Sequence, residues 1–223
     1  MIRRQDQSPI EWATAGRALG ELTDGSESGD LQVVAPFPNG VLIAVIDGLG
    51  HGPEAAQAAR AASEVLMPHA DQPVAALIQR CHTSLRETRG AVMTLVAFNS
   101  ADSSITWIGV GNVEAVLLRA KPSAAYMHES VSLRGGIVGY QLPPLRTTAL
   151  SVTPGDTLIV ATDGIGSGFS TDVDVRQSPQ DIAESILRLH AKGSDDSLVL
   201  VARYLGGTLE QHNPKRRRES ILS

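Results

Sequence analysis

The 223-residue sequence predicts an α+β fold in which antiparallel sheets are flanked by helices. Three observations carry that prediction. Two helical stretches are inserted together between runs of strands instead of alternating with them. The first two strands are joined by Pro-Asn-Gly, a hairpin connection. After residue 90 the pattern changes period and gives strand, polar turn, strand, a Gly-Asn break and another strand, which describes a meander and not a chain of βαβ units.

LQVVAPFPNGVLIAVIDG supplies the hairpin. The next stretch, GPEAAQAARAASEVLMPHA, is alanine-rich and opens with Pro53 just before Glu54. Proline at the first helical position needs no hydrogen-bond partner, so this is a helix start, and the helix is expected to run to about Met67. Pro73 opens a second helix, with Val74, Leu77, Ile78, Cys81 and Leu85 on one face. GAVMTLVAFNSADSSITWIGVGNVEAVLLRA reads as strand, polar turn, strand, Gly-Asn break and strand. SLRGGIVGYQLPPLRTTALSV, punctuated by glycine and proline, is placed along a sheet edge. DTLIVAT is a buried strand ending at Asp163. Residues 178–191 form a helix capped by Ser178 with Pro179 in its first turn, and SLVLVARYL is the final strand.

One domain is expected over residues 1–205, followed by a basic, disordered tail at 206–223. Aromatic residues make up 4% of the chain, so Val, Ile, Leu and Ala must build its core. The net charge is -5, and the tail is itself positive by two, so the rest of the chain holds -7. That balance argues against nucleic acid as a partner. The single cysteine, Cys81, excludes an internal disulfide and a cysteine zinc site, and its helical setting reads as a half-buried structural thiol. No apolar run approaches the roughly 20 residues a membrane helix needs. MIRRQDQSPIEW lacks the apolar centre of a signal peptide, so a cytoplasmic protein without membrane association is expected.

Three aspartates stand where apolar runs break into turns. Asp47 closes VLIAVIDGLGHG, Asp163 closes DTLIVATDGIGSG, and Asp195 precedes SLVLVARY. Each Asp-Gly alone is also an ordinary turn, since aspartate tolerates unusual backbone angles and glycine supplies positive φ. The joint pattern points to chemistry. Strand ends fix side chains tightly, and glycine lets backbone oxygens approach the same point. Carboxylates delivered together need a cation, and all-oxygen ligands suit magnesium or manganese. Two such ions can generate a bridging hydroxide and neutralise a phosphoryl group. Asp47 is the candidate to bridge both ions, Gly48 to offer its carbonyl, and Asp163 and Asp195 to complete one shell. The sequence therefore reads as a metal-dependent hydrolase of a phosphorylated substrate.

The chain also resembles a known family. AVIDGLGHGPEAA, RGAVMTLVAF, GVGNV, GGIVGY, PGDTLIVATDGI and DDSLVLVARY follow the order found in SpoIIE-type bacterial phosphatases, of the metal-dependent type 2C (PPM) class. ESGD, at Glu27 to Asp30, is similar to that family's first acidic motif. Over about residues 20–205 the chain is most similar to small RsbX-like members without sensor modules, so no such module is expected. The resemblance implies a β-sandwich of two mainly antiparallel sheets with helices on both outer faces, and a dinuclear Mn2+ or Mg2+ site at one end. It matches Asp47, Asp163 and Asp195 to the metal aspartates and Gly48 to the carbonyl ligand. Asp30 matches the acid that orients metal-bound water, while Asp196 falls where the family varies. The implied activity is phosphoserine/phosphothreonine protein phosphatase, by attack of a metal-bridging hydroxide. The implied substrate is a phosphorylated STAS-domain protein or related regulator in a bacterial partner-switching (stressosome) cascade.

The chain departs from the eukaryotic branch twice. Gly25 and its neighbours offer no phosphate-binding arginine. Leu49 stands where a proton-donating histidine is expected, with His51 two positions on, so the general acid is unassigned. GLGHGP has proline where a dinucleotide fingerprint needs its third glycine. Ser167 lacks the spacing of a nucleophile elbow. The competing reading is a catalytically weak pseudophosphatase that binds a signalling partner; hydrolysis of a small phosphorylated metabolite is a third.

Overall fold

The computed structural model describes residues 8–19, 27–123 and 126–206. It contains ten strands and three helices among those residues. The strands are β1 (Ile10–Arg17), β2 (Asp30–Phe37), β3 (Gly40–Gly48), β4 (Ala91–Asn99), β5 (Ser104–Val110), β6 (Glu114–Ser123), β7 (Tyr126–Ser130), β8 (Thr148–Ser151), β9 (Thr157–Ala161) and β10 (Ser197–Tyr204). The helices are α1 (Pro53–Leu66), α2 (Val74–Ser84) and α3 (Pro179–His190). Two five-stranded sheets have the orders β1-β10-β9-β6-β7 and β2-β3-β4-β5-β8, and all pairings are antiparallel.

The sheets face one another across an apolar layer, and helices cover both outer faces. Alternation along β3 shows how one strand serves two layers. Val41, Ile43 and Val45 pack between the sheets, whereas Leu42, Ala44 and Ile46 pack against α1 and α2. In the other sheet Leu198, Leu200 and Ala202 point inward, while Val199 and Val201 meet Ile182, Ala183 and Ile186 of α3. Covered on both sides, these central strands are continuously apolar.

The hairpin closes through Asn39, whose φ of 65° asparagine tolerates. α1 begins at Pro53 and ends at Leu66, where a single 3-10 turn takes over. Ser178 caps α3 by accepting the Asp181 N–H, as expected. β8 lies at a sheet edge, but residues 131–147 before it are largely irregular. Cys81 is fully buried rather than half-buried, because its face of α2 packs on α1, and burial pushes its thiol up to about 12. β1 and β7 were not anticipated. β1 alternates weakly, with a burial pattern in which only Ile10 is buried. The tail assigned to 206–223 lies outside the described residues except for Gly206.

Candidate active site

β2 and β3 pair so that Asp30 and Asp47 lie directly opposite each other at the sheet's end. Like charges in that relation repel, so the register itself concentrates negative potential. Alternation fixes where the two side chains go. Asp47 continues the series Val41, Ile43, Val45, and Asp30 the series of Val34, so both fall on the inner face, toward the second sheet. Gly48 falls on the helix side. A Cβ there would collide with the Ala55 carbonyl in the first turn of α1, so only glycine lets the helix close on the strand end. Gly29 is confined likewise, its notional Cβ 2.9 Å from that of Ala55 and 3.2 Å from the Gly48 oxygen.

The second sheet contributes from the same end. β9 stops at Ala161, two residues short of the predicted boundary, because the chain turns over Thr162–Ile165 with the Ile165 N–H on the Thr162 oxygen. Asp163 therefore sits in a turn rather than in the strand. Asp195 lies two residues before β10 and is exposed. The Thr162 hydroxyl donates to Asp30 Oδ2 at 2.7 Å, joining the two sheets. Asn112, in the Gly-Asn break before β6, donates its amide to Asp163 Oδ2 at 2.7 Å. Lys192 Nζ donates to the Asp163 carbonyl oxygen at 2.6 Å.

Asp196, set aside by the sequence reading, is 3% exposed. Its Oδ2 accepts the Gly29 N–H and its Oδ1 the Leu19 N–H, each at 2.6 Å. It ties the chain after β1, the acidic turn before β2 and the start of β10 into one knot. The sequence held a usable signal for both residues. Thr162 and Asp196 have the same parity as the inward Val160 and Leu198, so period-two counting aims them at the Asp30–Asp47 end.

Burial pushes the Asp30 carboxyl up to about 7, against the Thr162 hydrogen bond and aided by repulsion from Asp196, Asp195 and Asp163. Burial pushes Asp47 up to about 8, with repulsion from Asp30, Asp163, Asp195 and Asp196. The predicted acids thus form one electrostatic cluster. They do not form a closed cage: among the described residues, no three Asp, Glu, His or Cys side chains are grouped as a metal-holding set. Three of the four carboxylates are engaged by protein donors instead, Asp30 by Thr162, Asp163 by Asn112, and Asp195 by the Asp196 N–H at 2.9 Å. The donor chemistry nonetheless fits hard divalent cations. The groups are all oxygen, and two half-buried carboxyls pushed upward by desolvation, and further by neighbouring acids, are relieved by positive charge. His51 is exposed in the turn after β3. The segment around Gly25 lies outside the described residues.

Two facing antiparallel sheets between helical layers are the fold of the type 2C (PP2C) phosphatases. The phosphatase domain of SpoIIE from Bacillus subtilis superposes with a TM-score of 0.67 at 20% identity, over 89% of this chain and 64% of that one. The model of the family described as stage II sporulation protein E (SpoIIE) matches residues 38–205, and the chain belongs to that family. Phosphoserine phosphatase RsbX of Bacillus subtilis (strain 168) is 25% identical over 162 residues, covering 72% of this chain and 79% of that protein. A solved chain from work on the bacterial stressosome, as a modular system adapted to control secondary messenger signalling, has a TM-score of 0.77 at 29% identity. It aligns over 87% of this chain and 99% of its own length. RsbX in complex with magnesium matches with a TM-score of 0.76 at 21% identity, over 91% and 99% of the two chains. The sandwich, the helical layers and the family expected from the sequence are all borne out.

Proposed function

We propose that this chain is a metal-dependent phosphoserine/phosphothreonine protein phosphatase acting in the cytoplasm. The observation that carries this reading is the meeting of Asp30 and Asp47, paired across β2 and β3, with Asp163 and Asp195 brought to the same end by the second sheet. Asp47, the Gly48 carbonyl, Asp163 and Asp195 would hold two divalent cations, Mg2+ or Mn2+. Such ions supply Lewis acidity and a nucleophile competent at neutral pH. The chain's own contribution is positional. Thr162 orients Asp30, Asn112 orients Asp163, and Gly48 admits α1 to the strand end. Asp30, beside Asp47, would orient the attacking water.

A phosphorylated STAS-domain regulator of a partner-switching system is the substrate we favour, following the likeness to RsbX and to the stressosome-related chain. The test is phosphate release from such a protein with Mn2+ or Mg2+, compared with an aryl phosphate and small phosphorylated metabolites. Asp47→Asn and Asp163→Asn are expected to abolish release while leaving the circular dichroism spectrum unchanged. Turnover that survives both substitutions overturns the site. The pseudophosphatase reading gains from the protein donors already engaging Asp30, Asp163 and Asp195. It predicts partner binding without turnover at saturating metal.

A further inference from the structure

The loop between α3 and β10 runs antiparallel to the Asp163 turn and is pinned to it by backbone. Gly166 N–H donates to the His190 oxygen at 2.8 Å, and Lys192 N–H donates to the Gly164 oxygen at 2.9 Å. Lys192 is thereby fixed beside Asp163, and its ammonium donates to that residue's own carbonyl oxygen at 2.6 Å. An ammonium has three N–H donors, so this bond leaves two for another acceptor. Lys192 is exposed and, among the described residues, forms no ion pair. Two arginines near the first sheet's acidic end are already matched: Arg60 to Glu27, three residues before Asp30, and Arg89, beside Gly50, to Glu54.

Charge counting shows why a free cation matters there. Two dications would no more than neutralise Asp30, Asp47, Asp163 and Asp195. A phosphomonoester then brings about -1.5 to -2 more. Asp196, a fifth carboxylate, lies within the same field. We propose that Lys192 is a substrate-binding residue whose ammonium receives the phosphate dianion of the phosphoprotein and holds the phosphate product. The assignment rests on the phosphatase reading above. A compact charge on a flexible stem suits a group that must accept substrate phosphate and then release it.

The experiment uses the full chain and its Lys192→Met, Lys192→Gln and Lys192→Arg variants. It measures kcat and KM on a phosphoserine peptide, the inhibition constant of inorganic phosphate, and the affinity for Mn2+ by calorimetry. Losing a charged hydrogen bond should raise both KM and the phosphate inhibition constant on the order of ten- to a hundredfold in the Met and Gln variants. Metal affinity should stay within about twofold, and Lys192→Arg should recover most of the loss. If Gln performs as well as Arg, the side chain merely braces the Asp163 carbonyl and the proposal fails. It also fails if phosphate inhibition is unchanged, or if weakened metal binding accounts for the whole effect. Should the wild-type chain show no turnover, the phosphatase reading falls. Calorimetric binding of inorganic phosphate to the Mn2+-loaded protein, with and without Lys192, then still decides for or against the lysine.

Discussion

Replacing Asp196 by asparagine isolates the knot that positions the acidic turn. The carboxylate is buried and accepts two short hydrogen bonds, from Gly29 and Leu19. Asparagine keeps one acceptor oxygen but turns an NH2 group toward the other N–H. One charge-assisted bond, about 1.5–3 kcal/mol, is lost, and one donor is left poorly satisfied at about 1–3 kcal/mol. The opposing effect is relief of repulsion on Asp30 and Asp47. Those carboxyls are pushed up to about 7 and about 8, so at pH 6 both largely keep their protons and the relief is small. The hydrogen-bond loss wins there, by roughly 3–4 kcal/mol. At roughly 2–4 °C per kcal/mol for a domain of this size, Tm should fall by about 6–16 °C in chelator at pH 6. The fall should be smaller at pH 8.5, where Asp30 and Asp47 ionise and removing a neighbouring charge helps. Because Asp30 follows Gly29 directly, kcat should fall as well. A thermal melt at both pH values is the assay. A Tm equal to wild type at pH 6, or a deeper fall at pH 8.5, would refute the reasoning.

Gly48→Ala sets a Cβ against the Ala55 carbonyl, and overpacking should cost about 1–3 kcal/mol by chemical denaturation while weakening Mn2+ binding in calorimetry. The metal-free protein should lose stability as pH rises from about 4 to about 8. Asp30 and Asp47 hold their protons in the folded state to about 7 and about 8 but release them near 3.8 when unfolded, and the slope should flatten when Mg2+ or Mn2+ is added. Asp156→Ala tests a part of the fold away from the acidic cluster. Asp156 is 1% exposed, pairs with Arg119 at 2.8 Å and accepts the Ala120 N–H at 2.9 Å. Arg119 keeps Glu129, but the Ala120 and Thr153 N–H groups lose their acceptor, which should cost about 2–4 kcal/mol by urea unfolding while activity per folded molecule is unchanged.

The parts of this fold that could be read in the sequence are those where one strong local pattern decides. Pro53 and Ser178 mark helix starts by backbone chemistry that tertiary contacts do not override, and the hairpin turn is set by Asn39 and Gly40. β1 escaped because its pairing with β10 spans nearly the whole chain, and its own residues are mostly half-exposed. The acids of the site were visible as strand-end Asp-Gly pairs. Of their supports, strand parity aims Thr162 and Asp196 inward, but which acids these two, Asn112 and Lys192 meet depends on sequence separations that residue types do not reveal. Asp196 shows the limit best. It differs from Asp195 by one position, yet strand parity sends it into the interior while its neighbour stays exposed.

That parity also explains how the fold can afford its acidic end. Facing Asp30 and Asp47 across β2 and β3 is unfavourable by itself, and a strand pairing chosen only for stability would avoid it. The register is instead imposed by the apolar residues behind them. A slip by one residue would turn Val41, Ile43 and Val45 out of the inter-sheet layer and Leu42, Ala44 and Ile46 off the helices. The rest of β3 thus holds the two carboxyls opposed, and Thr162 and Asp196 carry the constraint to the other sheet. Neutralising that opposition should therefore stabilise the metal-free protein. Asp47→Asn, expected to be inactive, should melt above wild type at pH 8.5 and close to it at pH 5.5, where Asp47 is already protonated.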